Sequence, residues 1–262
     1  MLTYPDIDPV ALQFGPLKIH WYGISYVAGI LIAWWLLRLR ATRFHFTYQR
    51  VADLVFYITV GIIIGGRLGS VLFYNLPYYL EHPLEIIMIN RGGMSFHGGL
   101  IGVLLAFAWF AHKTGTRFFE VSDFVAPVVP VGLFFGRIAN FINGELWGAP
   151  SNLPWAMVFP HPAAGNVPRH PSQLYEALLE GVLLFFILWF YSAKPRPAMA
   201  VSGLFLTGYG IFRTLVEFVR EPDTNIGYLA FGWVTMGQLL SAPMIIAGLL
   251  LLWLGYRKKS LR

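Results

Sequence analysis

The 262-residue chain has no cysteine. This excludes disulfides, thiolate metal sites and a cysteine nucleophile supplied by the protein itself. Charge is also scarce. Asp, Glu, Lys and Arg make up 12% of the residues, about half of the roughly 25% usual for soluble domains. Several catalytic signatures are missing: no HExxH zinc motif, no GxSxG nucleophile elbow, no Walker loop and no Rossmann glycine pattern. Met1 to His20 hold two aspartates and one lysine, without a basic start followed by an apolar run. No cleaved signal is read there, and the first span is expected to insert the chain itself.

Apolar residues are abundant: the chain is 56% hydrophobic and 17% aromatic, with mean hydropathy +0.60. Over this length, such a balance points to a membrane solvent. A hydrocarbon core of about 30 Å takes roughly 20 apolar residues as a helix. Seven segments are read as spans: 21–37, 51–73, 97–111, 124–142, 174–191, 201–219 and 233–256. The third is short. No internal repeat or low-complexity tract interrupts them. The expected fold is an all-α, polytopic helical bundle of about seven transmembrane helices, with residues 1–262 forming a single membrane domain.

Lysine and arginine sort the loops. Twelve of the 19 follow spans one, three and five or end the chain: Arg38, Arg40, Arg43, Arg50, Lys113, Arg117, Lys194, Arg196, Arg257, Lys258, Lys259 and Arg262. Four lie on the opposite side: Lys18, Arg91, Arg169 and Arg220. The positive-inside rule then places the N-terminus outside and the C-terminus in the cytoplasm. The formal charge of +6 reads as topology-setting, with no nucleic-acid partner expected. Asp53 and Asp123 fall at cytoplasmic span ends, so no intramembrane aspartate pair suits an aspartyl protease. The proline- and glycine-rich stretch 143–173 is expected to form an irregular external cap. Residues 74–96 mix Leu76, Tyr78, Tyr79, Leu80, Ile86 and Ile87 with Glu81 and Glu85, as an external segment lying at the interface would.

The remaining three arginines fall inside spans. Each costs about 2.5–3.5 kcal/mol at a helix centre on insertion scales, so each needs a reason. With spans two, four and six running outward, Arg67, Arg137 and Arg213 all lie in the outer half. Arg137 is about five residues from its outer end, a depth of roughly 8 Å at 1.5 Å per residue. His20, Trp21 and Tyr22 reach the same layer at span one, His97 at span three, and His170, Ser172, Gln173, Tyr175 and Glu176 at span five. Tyr209, Arg213 and Glu217 share a helix face at i, i+4 and i+8, and Arg137 and Asn140 are at i and i+3. Asn143 and Glu145 follow at the helix mouth. Gly61, Gly65 and Gly69 form a small-residue ridge suited to close helix packing, and Gly66 leaves room beside Arg67.

Blander readings exist for several of these. Arg67 is open to headgroup snorkelling as well as to a functional role. His20 suits an interfacial position, and Tyr22 with Trp21 an aromatic belt. His97 is open to a structural role, and Glu217 to simple neutralisation of Arg213. Arg137 and Arg213 are the hardest to dismiss, since neither can lose its charge. The guanidinium fork matches phosphate oxygens, and the phosphates of this layer belong to phospholipids. The residues therefore point to a protein that acts on, or carries, an anionic phospholipid. A transporter would continue its polar groups into the cytoplasmic half, which here is mostly apolar.

These residues resemble the bacterial prolipoprotein diacylglyceryl transferases. Residues 97–102, HGGLIG, are similar to that family's segment of the same sequence. Residues 136–148, GRIANFINGELWG, resemble its signature. Trp21–Tyr22–Gly23, the run Arg169–His170–Pro171–Ser172–Gln173–Leu174–Tyr175–Glu176, and Tyr209–Gly210–Ile211–Phe212–Arg213 with Glu217 also look like family segments. The resemblance runs from about His20 to the last span, and the external stretch 149–168 is short for some members. It implies transfer of the sn-1,2-diacylglyceryl group of phosphatidylglycerol to the lipobox cysteine of a prolipoprotein signal peptide. The products would be a thioether and glycerol 1-phosphate, at the outer, periplasmic half of a bacterial inner membrane. It implies no metal and no cofactor, and the missing cysteine fits a thiol that comes from the substrate. Arg137, Arg213, His97 and Tyr22 are then the catalytic candidates, His97 as base for the thiol because an imidazole near pKa 6.5 suits that task. The headgroup candidates are Arg67, Arg137, Asn140, Asn143, Glu145, Gly148, His170, Tyr209, Arg213 and Glu217.

Overall fold

The computed structural model describes residues 2–5, 7–88, 92–222 and 227–260. Arg91 and Arg262, which enter the charge sorting, lie outside the described residues. A hairpin of β1 (Val10–Phe14) and β2 (Leu17–His20) precedes α1 (Trp21–Arg40). Then come α2 (Tyr48–Phe73), α3 (Leu76–Glu81), α4 (Phe96–Thr114), α5 (Phe118–Val125) and α6 (Val129–Ile142). The cap holds the short pair β3 (Met157–Val158) and β4 (Pro168–Arg169). Beyond it lie α7 (Ser172–Glu176), a π-helical stretch Ala177–Leu183, α8 (Leu184–Tyr191), α9 (Ala200–Glu217) and α10 (Met236–Ser260).

The protein is an all-α, multi-pass membrane protein with two minor hairpins. Five helical stretches are long and apolar enough to cross a membrane: Trp21–Arg40, Tyr48–Phe73, Phe118–Ile142, Ser172–Tyr191 and Met236–Arg257. Helices α4 and α9 occupy the other two expected spans. Both are diluted by polar residues, α4 by His97, His112 and Lys113 at its ends and α9 by Arg213 and Glu217. Only 17–39% of each of the five spans is buried. Their outward residues are large and apolar, Leu31, Trp35, Ile64, Phe190, Ile246 and Trp253 among them. Water would not tolerate so much exposed hydrocarbon, whereas lipid requires it.

Local sequence explains the ends. Thr47 caps α2 by accepting from the Arg50 amide at 3.2 Å, and Ser95 caps α4 by accepting from the Gly98 amide at 3.1 Å. Gly115 closes α4 in the left-handed region. Pro127 and Pro130 break the fourth span into α5, a single 3-10 turn and α6. The β1–β2 hairpin is a departure from the sequence reading, which assigned no element there. Gly15, at φ +59°, supplies the positive φ that a two-residue loop needs at its first position.

By their own contacts the residues form two compact units, 34–124 and 1–33 with 125–262. In the first, the glycine ridge of α2 meets a matching ridge on α4. A methyl group on Gly61 or Gly65 would collide with backbone of Gly102 or Gly98, and one on Gly69 with Gly98. The two backbones approach too closely for side chains to intervene. In the second, α9 packs along α10, with Gly203 and Gly248 at the crossing. Leu184, Leu188, Val201 and Ala126 form its apolar core.

Candidate active site

The second unit gathers its charges around one buried carboxylate. Glu176, at the end of α7, is fully buried. Its Oε2 lies 2.6 Å from Arg137 Nε of α6 and 3.1 Å from Arg213 Nη1 of α9. One turn on, in the π-helical stretch, Glu180 is equally buried. Its Oε2 is 3.4 Å from Arg137 Nη2 and its Oε1 is 4.0 Å from Arg213 Nη1. Arg213 also pairs with Glu217 through Nη2, as the i, i+4 spacing predicts. Glu217 in turn meets Arg220 at 3.4 Å and accepts from Thr235 Oγ1 at 2.6 Å. Gly237 makes room for it, since a methyl there would overlap the Glu217 carboxylate. Charges alternate along the chain Glu180, Arg137, Glu176, Arg213, Glu217, Arg220.

This arrangement explains how two arginines persist inside spans: each is matched by a carboxylate buried with it. It also leaves donors over. Among the described residues, Arg137 Nη1 and Arg213 Nε have no protein hydrogen bond, although both residues are mostly buried, with side chains 17% and 11% exposed. Beside Arg213 a polar cavity of about 20 Å³ is lined by Glu217, Arg220, Glu221, Thr235 and Gly237. That is room for a water-sized group.

The helix mouth is organised around Glu145. Its Oε1 accepts from Asn140 Nδ2 at 2.9 Å and from Asn143 Nδ2 at 3.3 Å. Gln173, fully buried, donates to the Glu145 backbone carbonyl at 2.5 Å. Tyr22 on α1 sits in the electrostatic field of both Glu145 and Arg137, with its hydroxyl 3.5 Å from that of Tyr26. Tyr209 stacks on Phe205 and feels Arg137, Arg213, Glu176 and Glu180. Gly148 is wedged against Val219 and His170, where any side chain would clash with backbone of both. Its amide donates to the His170 carbonyl at 2.8 Å. Arg169 locks the cap, donating to the Ala164 carbonyl at 2.7 Å and pairing with Glu221 at 2.8 Å. The Trp155 indole donates to the Tyr175 hydroxyl at 2.6 Å, so that hydroxyl can donate in turn to His170 Nδ1 at 3.1 Å. Partial burial pushes the His170 imidazole below its usual value near 6.5.

The other two candidates belong to the first unit. His97 is exposed on the first turn of α4, its ring edge-on to Phe96. Arg67 is 4% exposed and wholly engaged. It donates to the carbonyls of Ile86 at 2.8 Å, Gly93 at 3.1 Å and Met88 at 3.2 Å, and also to those of Glu85 and Gly92. The face of Tyr79 covers it, with the guanidinium carbon 5.1 Å from the ring centre. Five donors meet five acceptors, so Arg67 pins residues 85–88 to residues 92–93. Sequence reading missed Glu180 and gave Glu176 no role. The signal was present: two carboxylates at i and i+4 inside an apolar span carry the same insertion cost as the arginines.

Comparison with known proteins bears on what this site serves. The sequence model of the family described as prolipoprotein diacylglyceryl transferase matches residues 9–254. A Methylococcus capsulatus protein is 60% identical over 263 residues, covering 99% of this chain and all of its own length. Proteins of Pseudomonas putida and Pseudomonas fluorescens are 60% and 59% identical, over 99% and 98% of this chain and 97% of each relative. All three are named phosphatidylglycerol–prolipoprotein diacylglyceryl transferase. The chain belongs to the prolipoprotein diacylglyceryl transferase family.

Proposed function

We propose, from that membership, that the chain transfers the sn-1,2-diacylglyceryl group of phosphatidylglycerol to the thiol of the lipobox cysteine in a prolipoprotein signal peptide. The products are a thioether-linked precursor and glycerol 1-phosphate, the first step of lipoprotein maturation. The observation that carries the reading is the shared carboxylate: Glu176 Oε2 holds Arg137 and Arg213 at 2.6 and 3.1 Å, with donors of both left over.

The substrate thiolate attacks the diacylglyceryl carbon bonded to the phosphate ester oxygen, and that C–O bond breaks. Charge builds on the departing phosphate, where Arg137 and Arg213 hold and stabilise it. Preorganised donors in a desolvated site need no rearrangement as that charge develops. Asn140, Asn143 and Glu145 bind the glycerol hydroxyls, and Tyr22 and Tyr209 orient the headgroup. Gly148 lets His170 approach the mouth, and Glu217 fixes Arg213. His97 takes the thiol proton in this scheme. Arg67 pins residues 85–88 and 92–93 by their carbonyls. The site faces the periplasmic half of the bacterial inner membrane, with the N-terminus outside and the C-terminus in the cytoplasm. Residues 74–96 and 143–173 then form the external interfacial segment and cap.

The test mixes purified protein in detergent with phosphatidylglycerol and a lipobox peptide carrying one cysteine. Mass spectrometry should find a diacylglyceryl adduct that is lost with Arg213→Gln and with a Cys→Ser peptide. Folded protein that releases diacylglycerol to water, or yields no adduct, contradicts the reading.

A further inference from the structure

The chemistry of phosphate capture leaves one group unassigned. Glu180 is fully buried, stands on a π-helical stretch inside a span, and carries an Oε1 with no hydrogen-bond partner. A π-helical turn is a rare departure from α-helix that recurs at functional sites. Here it lies against α6, α7, α8 and α9. The charged and titratable groups facing Glu180 from those elements are Arg137 on α6, Glu176 on α7, and Tyr209 and Arg213 on α9.

Charge counting shows the problem that this residue raises. Arg137, Arg213 and Arg220 supply three positive charges, and Glu176, Glu180 and Glu217 supply three negative ones. With every carboxylate ionised the cluster is neutral, and an arriving phosphodiester would leave an uncompensated negative charge in a desolvated site. One carboxylate must therefore give up its charge or its arginines. Glu176 is bound closely by both guanidiniums, and Glu217 has Arg213, Arg220 and Thr235. Glu176 and Glu180 each keep one oxygen without a hydrogen-bond partner, but Glu180 has the longest ion pairs of the three, at 3.4 and 4.0 Å. It is the member whose charge is most readily surrendered.

We propose that Glu180 is a positioning residue that holds Arg137 and Arg213 in the empty site and yields them to the lipid phosphate by taking up a proton from solvent. Protonated, its hydroxyl has a use for the oxygen that is now orphaned: it donates a hydrogen bond to an adjacent acceptor, including the bound phosphate. No covalent bond changes in this step. The net exchange is one phosphodiester anion and one proton in, leaving the cluster neutral.

The inference rests on phosphatidylglycerol being the ligand, and the test separates the two. Calorimetric binding of phosphatidylglycerol in detergent micelles, repeated in buffers of different ionisation enthalpy, reads the protons taken up per lipid bound. The unaltered protein should take up close to one proton above neutral pH, and its affinity should fall about tenfold per pH unit there. Glu180→Gln, which keeps the volume but cannot ionise, should take up none and bind with a flat pH profile. Glu180→Asp should restore the slope. Binding without uptake by the unaltered protein overturns the proposal for Glu180 and leaves the substrate reading intact. An unchanged pH profile in folded Glu180→Gln does the same. A purely structural Glu180 would lower the melting temperature in both variants without moving the profile, which also overturns it. No binding of the lipid at all overturns the substrate reading and the proposal together.

Discussion

Two regions of this molecule bury an arginine inside a span, and they neutralise it by opposite means. Arg67 is wrapped by the backbone carbonyls of Glu85, Ile86, Met88, Gly92 and Gly93, each of its five donors matched to an acceptor. Arg137 and Arg213 are instead held by buried carboxylates, which satisfy their charge without using all of their donors. A carbonyl cage consumes the hydrogen-bonding capacity of an arginine and leaves its net charge to be offset by dipoles. A carboxylate partner cancels the charge and leaves guanidinium edges over. The first design fixes a loop. The second leaves a site that an oxyanion can enter.

The comparison breaks most visibly in activity. Arg137→Lys keeps the charge and removes the fork, and should lower the transfer rate about 10²–10³-fold, as loss of one preorganised donor does. Full activity in a folded variant would remove bidentate phosphate binding from the account. Glu176→Ala should act first on stability. Stripping the shared partner leaves one buried positive charge in excess, with Arg137 held only by Glu180 and Arg213 by Glu217 and the distant Glu180, at a cost of about 3–5 kcal/mol, read as a lowered melting temperature in detergent. A small shift would mean that water already reaches the pair. Gly65→Ala, on the α2–α4 ridge, forces a methyl into the Gly98 backbone and should cost about 1–3 kcal/mol, with the rate per folded molecule falling far less than for Arg137→Lys.

The smallest effect concerns His170. Its folded value lies below the usual one near 6.5, so the neutral form is the one the fold favours. The stability it contributes is present above pH 6.5 and is lost as pH falls from there towards the lower folded value. A melting-temperature series from pH 7.5 to 5.5 should decline more steeply for the parent protein than for His170→Gln. Identical slopes would show that the Tyr175–His170 hydrogen bond does not depend on the imidazole being neutral.

Much of the fold was legible because lipid imposes a simple rule: apolar stretches of sufficient length are helices, and the seven expected spans all correspond to helices. Their interruptions were not. The π-helical stretch at Ala177–Leu183 leaves no mark in the periodicity of a run that is apolar apart from Glu180, and the β1–β2 hairpin precedes the first span, where hydropathy carries no signal. At the site, Arg137, Arg213 and Glu217 stood out because buried charge is costly. Glu180 was overlooked because a search for phosphate ligands looks for cations and passes over the anions that hold them. The carbonyl cage of Arg67 could not be read at all, since it depends on carbonyls 18 to 26 residues away, with Gly92 and Gly93 at positive φ.

The central claim, that carboxylate-held arginines meet the phosphate and the carbonyl-held one does not, is tested most directly by comparing Arg213→Lys with Arg67→Lys. The measurement is the diacylglyceryl transfer rate at varied phosphatidylglycerol, normalised to folded protein. Expected are a loss of about 100-fold or more for Arg213→Lys, and for Arg67→Lys a lower melting temperature with the rate per folded molecule close to that of the parent. An Arg67→Lys protein that melts normally but has lost its affinity for the lipid, beside an active Arg213→Lys protein, would contradict it.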